Sequence, residues 1–284
     1  MQIGMLTAPF SRQDLGSVVS FAARAEFDCL ELCAAPDCAH FAPEQAGEMA
    51  RRMRDAGLEI SSLAAYVDVT AADPTQRSAN QAWLKGLIST CHEMEVDVLC
   101  CMAGLPPGGM SREETIKQIA APFFAKLCPE AAQAGVKIAL ENWFATNIMN
   151  LAQWDLMFEL VPDANFGLNF DPSHLLVQDI DYLAAVDRFA ARLFHTHAKD
   201  TEVRRNERAY LGTKTDGWWR FVIPGYGEVN WGVYISRLRH AGYDGVLSIE
   251  HEDDSLSREA GFIKGLAYLR QFVWDAPEEA ALAG

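Results

Sequence analysis

The 284-residue sequence predicts an α/β chain folded as one (β/α)8 barrel, and three observations lead there. Eight short apolar runs alternate with eight amphipathic segments from one end of the chain to the other. The first run is followed by GMLTAPF, which offers no Gly-rich phosphate loop, so a doubly wound sheet is disfavoured. No Pro/Gly/Ser-rich linker and no low-complexity stretch divides the sequence.

Strands are predicted near 2–6 (QIGML), 28–33 (DCLELC), 58–66 (LEISSLAAY), 96–103 (VDVLCCMA), 136–142 (VKIALEN), 165–171 (NFGLNFD), 193–199 (LFHTHAK) and 245–251 (GVLSIEH). Helices are predicted between and after them, near 12–25, 43–56, 75–94, 111–134, 150–160, 179–190, 230–241 and 257–274. Several carry punctuation. Pro43 and Pro74 stand at helix starts, Ser111 with Glu114 forms a capping box, and Gly57, Gly135 and Gly242 follow helix ends. The barrel is assigned to residues 1–275, and the tail APEEAALAG (276–284) is expected to fray.

Composition narrows the partners. There are 24 Lys and Arg against 39 Asp and Glu, a formal charge of −15, which repels phosphate backbones and argues against nucleic acid. No apolar run reaches the length of about 18 residues that a membrane span needs, and the N-terminal MQIGMLTAPFSRQD does not read as a secretory signal. The seven cysteines form no CxxC pair and no zinc-finger spacing, so they are expected to be buried free thiols of a cytoplasmic protein. A homo-oligomer is left open.

Strand parity supplies the candidate site, because successive side chains point to opposite faces. Ile138 and Leu140 share one face of their strand and Ala139 and Glu141 the other. Leu168 and Phe170 oppose Gly167, Asn169 and Asp171, and Leu247 and Ile249 oppose Ser248 and Glu250. His195 and His197 lie together in the remaining strand, where the pattern is blurred by the polar Thr196. The large apolar residues should face the helices. The other parity then delivers Glu141, Asp171, His197 and Glu250 to the C-terminal end of four successive barrel strands. Three converging carboxylates repel one another in a low-dielectric site, and one divalent cation resolves the repulsion. This mostly hard-oxygen set suits Mn2+ or Mg2+, with Co2+ also compatible, and suits a structural zinc less well.

The neighbouring residues read differently. His195 sits one layer deeper and is expected to be a hydrogen-bonded core histidine. His251 has the outward parity and should pack on a helix. Glu252 and Asp253 lie beyond the strand and are expected to be solvated or to stand behind the ligands, while Glu31 in the second strand is a further carboxylate of open role. Residues 200–229 form a long connection rich in aromatic side chains at the active-site end of a strand. They are predicted to be a lid, with Trp219 offering an aromatic face to a ligand and Arg220 hydrogen-bonding it.

Four stretches, NFGLNFDPSHL, HTHAKD, GWWRFVIPGYGEVNW and YDGVLSIEHED, resemble the sugar phosphate isomerase/epimerase superfamily, the xylose-isomerase-like TIM barrels. The similarity runs from DCLEL to the last helix. It implies that Glu141, Asp171, His197 and Glu250 hold the metal, and that His174 of the DPSH motif and Lys199 contact substrate oxygens. It also implies a metal-dependent sugar isomerase or epimerase that works through an enediolate, with C3 epimerisation of a ketose or keto-sugar as the reaction and Glu141 and Glu250 as the proton-exchanging pair. The alternative within the superfamily is a lyase or dehydratase acting on an inosose or 3-keto-glycoside. The sequence departs from the ketose 3-epimerases after the metal histidine, where HAKDTEVRRNER places its arginines loosely and leaves the exact sugar open.

Overall fold

A computed structural model describes residues 1–273, so the tail expected from 276 lies outside the described residues. The barrel strands are β1 (Gln2–Leu6), β2 (Cys29–Cys33), β3 (Glu59–Ala65), β4 (Val98–Met102), β5 (Lys137–Glu141), β6 (Phe166–Phe170) and β7 (Leu193–Ala198). A short pair, β8 (Asp200–Val203) and β9 (Trp219–Val222), intervenes before the last barrel strand, β10 (Val246–Ile249). The parallel ring closes in the order β1-β10-β7-β6-β5-β4-β3-β2. The predicted (β/α)8 TIM barrel is therefore the observed fold. Among the described residues no helix is long and apolar enough to cross a membrane, and all seven cysteines are free and buried.

Each outward face packs on the helices, as the alternation requires. Ile138, Leu140, Leu168, Phe170, Leu247 and Ile249 belong to the main hydrophobic core between sheet and helices. Leu6, Ala64, Val98, Cys100 and Ala139 form a second, small cluster on the inward parity. Helix starts follow the local chemistry. Asp73 accepts from Thr75 N ahead of Pro74, and Ser111 and Glu114 make the reciprocal capping box. Gly57, Gly135 and Gly242 take φ of 74°, 75° and 84° after helix ends, where a side chain would be strained.

Three departures from the sequence reading have local causes. The segment predicted as one helix over 111–134 is Arg112–Thr115, a π-helical turn at Ile116–Ala120, and Ala121–Gln133. Pro122 has no N–H to give and its ring crowds the preceding turn, which the wider turn accommodates. Two strand registers slip, between Leu30 and Glu31 in β2 against β3 and between Leu168 and Asn169 in β6 against β7. Such bulges re-aim side chains; the second leaves Phe194 as the extra residue of β7, while Thr196 pairs with Phe170 and its hydroxyl donates to Val246 O at 2.6 Å.

The long connection is also more ordered than a loop. β8 and β9 pair antiparallel, from Asp200↔Val222 to Val203↔Trp219, and a helix at Arg205–Leu211 fills the turn. Asp200, fully buried, pins the base of this hairpin. Its Oδ1 accepts from Thr201 N (2.8 Å) and Val229 N (2.9 Å), and its Oδ2 from Gly225 N (3.0 Å) and Trp231 Nε1 (2.8 Å). Replacing Asp200 by Ala leaves those buried donors without acceptors, at a cost of about 3 kcal/mol. Urea unfolding should register that loss, and limited proteolysis should cut between 204 and 218 faster than in wild type. A stability change within experimental error would show that the hairpin does not depend on this carboxylate.

Candidate metal centre

Four strands adjacent in the ring, β5, β6, β7 and β10, bring the cluster together. Their register aligns one face from strand to strand, with Glu141 beside Asn169, Asn169 beside His195, and His197 beside Ser248. Glu141 ends β5, Asp171 follows β6, His197 lies in β7 and Glu250 follows β10. One donor atom from each of Glu141, Asp171, His197 and Glu250 lies within 4.8 Å of all the others. The four residues that strand parity singled out do converge.

The donor atoms are specific. His197 Nδ1 stands 3.2 Å from Glu141 Oε1, 3.1 Å from Glu250 Oε2 and 4.0 Å from Asp171 Oδ2. Asp171 divides its oxygens: Oδ1 caps the short helix Pro172–Leu176 by accepting from Ser173 N at 2.7 Å. Oδ2 is buried, accepts no hydrogen bond and faces the cluster. The turn chemistry of NFDPSH and the ligand role are thus compatible, one oxygen for each. A buried oxygen that accepts no hydrogen bond and has only the Lys199 ammonium nearby, at 3.3 Å, among two other carboxylates and an imidazole, fits a hard divalent cation.

Charge balance in the cluster points the same way. Burial alone would raise the Glu141 carboxyl, but His174 and His197 beside it hold it well below the usual carboxylate range. Burial is likewise outweighed at Glu250 by Lys199 and His197, which lower it. Both glutamates are anions. Lys199 Nζ reaches Glu250 Oε2 at 2.6 Å and Asp171 Oδ2 at 3.3 Å, and it lies 3.2 Å from His174 Nε2. His174 Nε2 is in turn 3.4 Å from Glu141 Oε1. The Pro172 helix therefore carries His174 over the same point.

A cavity of about 170 Å³ opens above the cluster, lined by Tyr66, Glu141, Trp143, His174, Lys199, Glu250 and Glu252. Larger grooves, such as the one of about 740 Å³ by Lys85 and His92, are open troughs away from the four-residue cluster. His174 and Lys199 line the cavity; Trp219 and Arg220 do not. The Trp219 ring packs 5.7 Å from Phe144 and 4.8 Å from Phe221. Phe221 in turn sits 5.0 Å from the His174 ring, with Lys199 Nζ 4.5 Å above its own face. Arg220 is engaged by Glu202 across the hairpin and by Asp253 Oδ1 at 2.9 Å.

Of the two expectations for Asp253, solvated or standing behind the ligands, the first is excluded: it is only 2% exposed, and Arg220 and Ser255 hold it. Glu252 does stay partly exposed, 3.5 Å from Lys199 Nζ. His195 is the expected core histidine. Its Nδ1 meets Asn169 Oδ1 at 3.0 Å and its Nε2 lies 3.2 and 3.3 Å from the Ser61 and Ser62 hydroxyls, while burial pulls it down to about 4. His251 faces outward and packs 5.4 Å from Phe262. Tyr66, Trp143 and Phe221 were not singled out from the sequence. Parity could have found two of them, since Tyr66 continues the face of Ser62 and Ala64, and Trp143 stands two residues beyond Glu141.

Comparison with known proteins follows this geometry. An L-ribulose 3-epimerase of Methylomonas sp. (strain DH-1) is 28% identical over 195 residues, 66% of this chain and 61% of that protein. An inosose dehydratase of Lacticaseibacillus casei is 25% identical over 135 residues, 45% of each chain. The chain thus spans about half the length of the curated relatives it matches. A crystal structure of the IOLI protein with a bound zinc atom superposes with a TM-score of 0.77 over 96% of this chain and 99% of that one, at 19% identity, a likeness of fold. The family model described as a xylose isomerase-like TIM barrel matches residues 19–272, and this protein belongs to that family.

Proposed function

We propose that this protein is a divalent-metal-dependent sugar isomerase or epimerase, moving a proton beside the carbonyl of a ketose or keto-sugar, with C3 epimerisation as the reaction. The observation that carries the reading is the convergence of Glu141, Asp171, His197 and Glu250 beneath a small cavity. These four would hold one ion, for which Mn2+ is the best fit and Mg2+ or Co2+ compatible. When bound, the ion polarises the carbonyl and neighbouring hydroxyl oxygens and so acidifies the C–H between them.

The chain's own groups do the rest. Glu141 and Glu250 both line the cavity as anions. One, as the anion, takes the proton; the other, once it has taken up a proton from solvent, delivers it to the opposite face of the carbon, which inverts it. His174 and Lys199, donors in the same wall, bind substrate oxygens. Trp219 and Arg220 serve the substrate by holding the β8–β9 hairpin over the mouth, Trp219 through Phe221 and Phe144, and so exclude water from the reacting carbon. The inosose dehydratase match favours a second reading, in which the same proton removal is followed by loss of a β-hydroxyl.

Incubation with ketoses, inososes and 3-keto-glycosides in D2O with Mn2+, followed by NMR, separates the two. A C3 epimer labelled at C3 supports epimerisation, an unsaturated product supports dehydration, and no exchange on any of them overturns both. Chelation should abolish turnover and added Mn2+ restore it; undiminished activity in protein shown by elemental analysis to be free of metal would reject the metal role. Glu250→Gln should retain the fold yet slow deuterium exchange by roughly 100-fold or more. Trp219→Ala and Arg220→Ala should raise KM or shift sugar preference at nearly unchanged metal affinity, and wild-type kinetics in both would reduce the hairpin to scaffolding.

A further inference from the structure

Both ring nitrogens of His197 are engaged, on opposite sides. Nδ1 faces the three carboxylates of the cluster. Nε2 faces Glu31 on β2, at 3.1 Å from Oε2 and 3.2 Å from Oε1. We propose that Glu31 is a positioning residue: reaching across the barrel, it locks His197 with the proton on Nε2 and so presents Nδ1 to the cluster as an unprotonated donor. This rests on the reading that the cluster holds a divalent cation.

With a cation in the cluster to take the lone pair of Nδ1, the surrounding hydrogen bonds leave one consistent assignment. An ionised carboxylate only accepts, so Nε2 must donate, because a lone pair there would face two carboxylate oxygens. Tyr66 OH donates to Glu31 Oε1 at 2.9 Å, and Asn169 Nδ2 lies 3.0 Å from Tyr66 OH, to which it donates. Asn169 Nδ2 also lies 2.9 Å from His197 Nε2, but with that nitrogen protonated its hydrogen goes to Tyr66. The other end of the amide is fixed as well, since Asn169 Oδ1 accepts from His195 Nδ1, whose Nε2 is met by Ser61 and Ser62. Every donor in this buried chain runs towards Glu31. The carboxylate is fully buried, and its ion-pair partners are the two imidazoles, His197 at 3.1 Å and His195 at 3.8 Å.

The backbone is shaped for this contact. The β2–β3 register slips at Glu31, pairing it with Ser62 and leaving Ser61 as the extra residue, so both serines reach His195. A carboxylate behind a ligating histidine fixes its tautomer and raises its basicity, and removing such a partner lowers metal affinity about 10–100-fold. Glu31 comes from a strand that gives the cluster no ligand, which is why strand-end parity alone did not assign it.

Two measurements test the assignment, and neither depends on turnover. In wild type loaded with diamagnetic Mg2+ or Zn2+, 15N NMR of His197 should show a protonated Nε2 and an unprotonated Nδ1; the reverse tautomer overturns the proposal. Titration with Mn2+ and Co2+ should show Glu31→Leu binding 10–100-fold more weakly, with a changed Co2+ visible spectrum, and Glu31→Gln, which keeps an acceptor, recovering much of the loss. Affinity and spectrum unchanged in Glu31→Leu overturn it too. Should Glu31→Leu not fold, Glu31→Gln decides alone: weaker Mn2+ binding with a shifted Co2+ spectrum supports the proposal, and wild-type values for both overturn it. A control separates this from the parent reading: Mn2+ binding by wild type that is lost in His197→Ala upholds the cluster whatever Glu31 does. No Mn2+ binding by wild type would overturn both.

Discussion

Three carboxylates brought into one buried cluster repel each other, and nearly everything at the C-terminal end of this barrel answers that repulsion. Glu141, Asp171 and Glu250 cannot all be anions in a poorly screened site without compensating positive charge. His197 and Lys199 sit among them, at 3.1 and 2.6 Å from the same oxygen of Glu250, and His174 leans on Glu141. Asp171 still has an oxygen that accepts no hydrogen bond. A site arranged in this way is well prepared for a divalent ion and for a substrate whose reaction develops negative charge.

The hairpin between β7 and β10 follows from the same geometry. It leaves the barrel one residue after Lys199 and is tied to the segment three residues beyond Glu250 through Arg220 and Asp253. It therefore bridges the two strands that contribute His197 and Glu250, while Phe221 lays an aromatic face against Lys199 and His174. Aromatic walls of this kind keep water from a reacting centre without adding further charge to it.

Much of this was legible in the sequence, for a definite reason. Alternation in a strand is a local property, so Ile138/Glu141, Phe170/Asp171 and Ile249/Glu250 could be sorted by face without any knowledge of the closed ring. Helix ends announced themselves through Pro74, through Ser111 with Glu114, and through the glycines that follow. What escaped were contacts that exist only once the barrel closes. Glu31 meets His197 across 166 positions of sequence, and Tyr66 meets Asn169 across 103. The π-helical turn before Pro122 and the register slip in β7 are adjustments to packing that hydrophobic period alone does not encode. Arg220 was read towards the substrate from its place in the long loop, where its ties to Glu202 and Asp253 were not visible.

The ring is sealed by β1 against β10, which pairs Gln2 with Val246. That seal joins the two ends of the described chain, so loop-closure entropy makes it among the most expensive contacts to form. All four cluster residues lie at position 141 or later, whereas the residues that support His197 from behind, Glu31 and Tyr66, lie within the first 66. An unfinished barrel would thus hold the acidic groups together with no brace opposite them. Under the proposed cation reading, recovery of cation binding during refolding becomes a chemical clock for closure, reporting the moment at which the early and late strands of the polypeptide become one molecule.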